Sequence, residues 1–153
     1  MSGLTNEYLE KLSRRILGKK LFLGVFPADI HPKVGQKKKT FCLIFNTGRS
    51  NTAGEHFISV FAIKKRVFYF DSFGFEPIQK DINMFLKGLN KKCVFNCQQL
   101  QDLNSQFCGF YSLSFLLWKK KQRPICNFYR MFSTKNLRHN DDIVTKFIIK
   151  QIK

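Results

Sequence analysis

Acidic residues are scarce in this chain of 153 residues: ten Asp and Glu stand against 27 Lys and Arg, a formal charge of +17. Like charge on that scale repels itself unless a polyanion screens it, so a nucleic acid is the expected partner. Also missing is any stretch near the roughly twenty apolar residues a membrane span needs. No leading apolar segment reads as a secretory signal, and no lipidation box stands at the C-terminus. The five Cys are odd in number and lack framework spacing, so reduced thiols in an intracellular, soluble protein are expected. With no internal repeat and no linker in view, residues 1–153 read as a single domain.

What the chain has in abundance is aromatic rings. Eighteen Phe and 44% hydrophobic residues can fill a sizeable core, which sets disorder aside. The basic residues come in clusters, at Arg14 to Lys20, Lys37 to Lys39, Lys64 to Arg66, Lys91 and Lys92, and Lys119 to Lys121. That spread suits phosphate contacts without base reading; the alternative is that the clusters are solvated loops and helix ends.

Hydrophobic period gives the elements. Thr5 to Leu17 reads as a helix with Thr5 as cap and Gly18 as stop. Leu21 to Phe26 is a short apolar run, Pro32 to Lys39 a basic loop, and Phe41 to Phe45 a strand. His56 to Ile63 and Arg66 to Asp71 form a hairpin that His56 opens and Asp71 closes. Pro77 to Leu89 is a helix with Ile78, Ile82, Phe85, Leu86 and Leu89 on one face, and Cys93 to Cys97 a short strand. Cys108 to Trp118, apolar on all sides, reads as a buried central helix capped by Asn104 or Ser105. A short helix near Asn127 to Phe132 and another from Asp141 to Ile152, started by Asn140 and turning Ile143, Phe147 and Ile148 inward, complete an α+β domain around a small mixed sheet.

Cys108 stands where the buried helix begins, and a helix N-terminus favours a thiolate through its unpaired N–H groups and dipole. Gly109 after it lets backbone approach a substrate carbonyl, with the Cys108 N–H available to an oxyanion. A base and a group to orient it are also needed. In the hairpin the first residue of one strand lies near the last of the other, so His56 and Asp71 can meet. Each signal alone has a blander reading: a structural thiol, a turn-capping Asp, with His31 and His139 as other bases. Cys93 and Cys97 could be metal ligands, yet no second pair completes a zinc site. Cys42 and Cys126 read as buried thiols.

The ordered combination is specific. Gly54-Glu55-His56-Phe57, Tyr69-Phe70-Asp71-Ser72-Phe73-Gly74-Phe75 and Gln101-Asp102-Leu103-Asn104-Ser105-Gln106-Phe107-Cys108-Gly109-Phe110 resemble the successive active-site motifs of the adenovirus protease (adenain) family. Phe22 to Phe26 and Phe41 to Thr47 are similar to its early segments, so the likeness covers about residues 20 to 118. The resemblance implies a papain-related fold in permuted order, shared with SUMO-deconjugating proteases. It assigns His56 as base, Asp71 as its orienting carboxylate in a place where adenoviral members mostly carry Glu, Gln101 as oxyanion donor and Cys108 as nucleophile. Gln98, Gln99 and Gln106 are weaker stand-ins for Gln101. It further implies a monomeric endopeptidase of the virion and host nucleus that cuts viral precursor polypeptides beside small residues, often Gly. Stimulation by DNA and by a disulfide-linked viral peptide is implied too, with Cys93 the nearest match to the linked cysteine and Cys97 its competitor. Deconjugation of ubiquitin-like tails, or DNA binding with relic protease motifs, are the rival readings.

Overall fold

The computed structural model describes residues 4–35 and 37–153. Five strands, β1 (Phe22–Pro27), β2 (Thr40–Asn46), β3 (Phe57–Ile63), β4 (Arg66–Phe70) and β5 (Lys92–Phe95), form one mixed sheet in that order. β1 runs parallel to β2 and β5 parallel to β4, while β2, β3 and β4 form an antiparallel meander. Helices α1 (Asn6–Leu17), α3 (Cys108–Lys120), α4 (Ile125–Tyr129) and α5 (Leu137–Ile152) and helix α2 (Lys80–Gly88) complete the described fold.

Residue alternation divides the core. In β2, Cys42 and Ile44 join Phe57 and Phe61 of β3 under α1 and α3, whereas Phe41, Leu43 and Phe45 join Ile58, Val60 and Ala62 under α2. Both faces of the central strands are therefore buried, which is why they read as continuous apolar runs rather than as alternating ones. α3 is buried along most of its length, from Tyr111 to Trp118, and Phe115 stacks on Phe70 at 4.5 Å. Among the described residues no helix is long and apolar enough to cross a membrane.

Thr5 caps α1 as expected, its hydroxyl accepting from the Tyr8 N–H, and Gly18 ends the helix at φ 88°. Several boundaries differ from the sequence reading; α4 lies at Ile125–Tyr129, ahead of the expected Asn127 to Phe132. α2 begins at Lys80, not near Pro77, because the Gln79 side chain accepts from the Ile82 N–H and makes the cap; Ile78 is left outside at 75% exposure. β5 stops at Phe95 because the Asn96 side chain turns to bond the backbone of Asp71. α3 has Phe107 at its cap with no side-chain cap bond, so neither Asn104 nor Ser105 caps it. α5 starts one turn early at Leu137, capped by Asn136; Asn140 lies buried within it, bonding Leu100 O and the backbone of Ser133. Val144 and Ile148 turn fully inward there, while Ile143 and Phe147 are only partly buried.

Candidate active site

The sheet brings three distant segments to one end. His56 lies one residue before β3 and Asp71 one residue after β4, and the hairpin register, with Ser59 opposite Phe70, sets the two side by side. His56 Nε2 donates to Asp71 Oδ1 at 2.8 Å. The same Oδ1 accepts from the Phe73 N–H at 2.8 Å, and the Phe73 ring stacks on the imidazole at 4.3 Å and 15°. Asp71 is 4% exposed. Its backbone is held in turn by Asn96, which accepts from the Asp71 N–H and donates to the Asp71 carbonyl.

Cys108, the first residue of α3, faces the same cleft as the His56 ring. Burial pushes the imidazole toward its neutral form, but the bonds to Asp71 and to Cys108, with their negative charge, more than offset this and raise its pKa to about 9. Gly109 is not turned to the substrate side as expected: it is buried, and a Cβ there would press on Leu4, Leu9 and Phe57 at 3.3 to 3.4 Å. Its smallness lets α3 approach α1 and β3, a contact that the Ser112 hydroxyl reinforces by donating to Phe57 O.

The loop that delivers His56 hangs on Asn46. Asn46 Oδ1 accepts from the N–H groups of Gly48 and Glu55, the Thr47 N–H donates to His56 O, and a Cβ at Gly54 would collide with Asn46 Nδ2. Gly54 is thus required by close approach, not by a turn. Sequence reading missed Asn46, Phe73 and Asn96. Asn46 read as a strand end and Phe73 only as part of a motif; of the three only Phe73, two residues after Asp71, gave a signal of nearness in the sequence.

His56 and Cys108 open into a cleft of about 820 Å³, walled also by Asn6, Glu7, Glu55 and Gln106. Gln101 is not brought to it. That residue is fully buried, Oε1 accepting from Ser72 Oγ at 2.6 Å and Nε2 donating to Ser105 O and Oγ at 2.9 and 3.2 Å. Gln106 does line the cleft, and Gln99 donates to Gln101 O. His31, held at Ala28 O between Phe45 and Phe85, and His139, beside Asp142 on α5, are also elsewhere.

All five cysteines are free. Cys93 is half-buried in β5, opposite Val67, and burial pushes its thiol up. Cys97 is exposed just beyond the strand, and Cys126 is exposed rather than buried as expected. Cys42 is buried, its thiol pushed up to about 12. Among the described residues no group of three His, Cys, Asp or Glu could hold a metal.

A mixed sheet with His56 and Asp71 at one end and Cys108 opening a buried helix is an α+β architecture with the histidine first in the chain and the cysteine last. In sequence the chain is similar to the protease of bovine adenovirus 2, 30% identical over 128 residues that cover 74% of this chain and 62% of that protein. The chain thus spans under two thirds of that relative's length. In structure it resembles the ASFV protease, with a TM-score of 0.70 at 18% identity over 96% of this chain and 66% of the other. A selenomethionine form of that protease gives a TM-score of 0.57 at 19% identity, covering 94% of this chain and 67% of the other, and the two likenesses show a shared fold. No family model matches the chain. The resemblance to adenoviral proteases read from the motifs is borne out as a likeness in sequence.

Proposed function

We propose that the chain is a cysteine endopeptidase, and the observation that carries this is one imidazole hydrogen-bonded to a buried carboxylate in the cleft where a thiol opens a helix. The Cys108 sulfur attacks the scissile carbonyl, the tetrahedral oxyanion is met by the Cys108 N–H, and His56 gives its proton to the departing amine. Water then releases the acyl group with His56 as base, while Asp71 holds the ring in orientation and stabilises its charge. Cys108→Ala should abolish cleavage of a Gly-containing precursor peptide; retained cleavage overturns the assignment.

The likeness to an adenoviral protease supports viral precursor polypeptides as substrates, cut beside small residues during particle maturation in the virion and host nucleus. It also supports two activators. For DNA there is a physical support as well: Lys19 and Lys20 precede β1, Lys37 to Lys39 precede β2, Lys64 and Lys65 join β3 to β4, and Lys91 and Lys92 lead into β5. The strand directions gather all of these at the end of the sheet opposite the cleft. There, Lys38, Lys64, Lys65 and Lys91 line a cavity of about 390 Å³ with no carboxylate among its walls. Cleavage that does not quicken with saturating DNA at low salt sinks this part. For a disulfide-linked peptide the outer strand β5 supplies exposed Val94 and Phe95 beside a cavity of about 280 Å³ that includes Cys97. Cys93→Ser and Cys97→Ser, compared for loss of peptide activation, decide which thiol is linked.

A further inference from the structure

The cleft that holds His56 and Cys108 is acidic in a chain that is otherwise strongly basic. Only ten of the 153 residues are Asp or Glu, yet Glu7 and Glu55 both line it, and among the described residues no Lys or Arg does. The two come from separate segments, Glu7 in the first turn of α1 and Glu55 directly before His56. The dipole of α1 accounts for an acid at its start, but not for a second one brought to the same cleft by another loop. Both residues are exposed, and among the described residues neither carboxylate makes a hydrogen bond or an ion pair. Of the cations on α1, Arg14 is bonded to Glu10, and Lys11 lines a neighbouring hollow that shares Glu7. The cleft also has apolar walls in Leu4, Phe73 and Leu103, the last 63% exposed. Apolar surface next to free carboxylates matches a Lys or Arg side chain, whose methylenes bury while the charged head stays in water.

We propose that Glu7 and Glu55 are specificity-determining residues, which make the cleft select polypeptides with a Lys or Arg close to the cut. This inference rests on the cysteine-protease reading and deepens it by naming a substrate class. The same two charges work against acidic peptides, so they select by repulsion as well as by attraction. The net charge of the chain opposes a basic substrate at long range. Salt screens that field beyond about 10 Å, and the carboxylates inside the cleft then decide.

Peptides with Gly at the cut and a Lys scanned through the flanking positions, set against Ala and Glu counterparts, test this. In the parent the best Lys peptide should exceed its Ala counterpart in kcat/KM by about 2- to 30-fold at low salt, the scale of two exposed ion pairs, and the Glu peptide should be the poorest. The difference should lie in KM and shrink in about 1 M salt, where the Debye length is about 3 Å. In the double variant Glu7→Gln, Glu55→Gln the Lys-to-Ala ratio should fall to about 1, and in Glu7→Lys, Glu55→Lys the order of the Lys and Glu peptides should reverse. A merely structural role for the two acids would slow all the peptides alike and leave the ratio intact. If the parent turns over none of them, protection of Cys108 from iodoacetamide makes the same comparison, with the Lys peptide protecting at lower concentration than the Ala peptide. Equal use of the two peptides, equal protection by them, or a preference that survives the Gln double variant overturns the inference and leaves the protease reading standing. A Cys108 that alkylates no faster than Cys97 or Cys126, with no peptide cleaved, brings down the protease reading and this inference with it.

Discussion

At the scale of single residues the site is governed by what touches His56. Its raised pKa has a definite sign: protonation is favoured in the folded state, so the stability it lends is fully present below the ordinary value near 6.5 and is lost as the pH climbs through about 9. Denaturant titrations of the parent and of His56→Gln should therefore converge as the pH rises across that window. Cleavage should fall on the alkaline side near the same value, since the departing amine then lacks its proton donor. Asp71→Asn removes the charge that orients the ring and should lower kcat by about 10²- to 10⁴-fold in a peptide assay, with KM little changed. That His56 and Asp71 meet was legible, because motif and hairpin geometry agreed. The contact between Ser72 and Gln101 was not, because spacing along the chain says nothing about partners across the fold, and Ser72 reads as a plain turn residue until that partner is seen.

Among the elements, those with strong patterns were read correctly: α1 with its Thr5 cap, the β3–β4 hairpin and the all-apolar α3. Boundaries failed where a side chain from elsewhere decided them. Asn96 ends β5 for the sake of Asp71, and Gln79, an uncommon cap, takes the place that Pro77 promised. The Pro signal was outweighed by one hydrogen bond, and Ile78 lost its apolar face with it. Two substitutions check this division. Ile78→Ser should shift stability by about 0.5 kcal/mol or less, as an exposed position does. Phe115→Ala, which removes a ring stacked on Phe70 and edge-on to Phe128, should cost about 3 to 5 kcal/mol in the same denaturation experiment.

The whole molecule has a charge axis. Lysines from four loops crowd one end of the sheet, while the cleft at the other is lined by Glu7 and Glu55 and by no Lys or Arg among the described residues. Composition announced the +17 charge but not its direction, which only the strand topology fixes. Replacing Lys38 and Lys65 with Glu should weaken DNA binding and flatten its dependence on log salt by about 0.9 for each phosphate no longer neutralised, while cleavage without DNA stays at the parent level. The order of the site residues also bears on biosynthesis. His56 and Asp71 leave the ribosome well before Cys108, and the thiol finds its place only when α3 has inserted between the sheet and α1 and α5. On the proposed mechanism, a nascent chain halted before α3 would hold His56 and Asp71 without the thiol, and ribosome-arrested chains of that length should cleave none of their neighbours on the polysome.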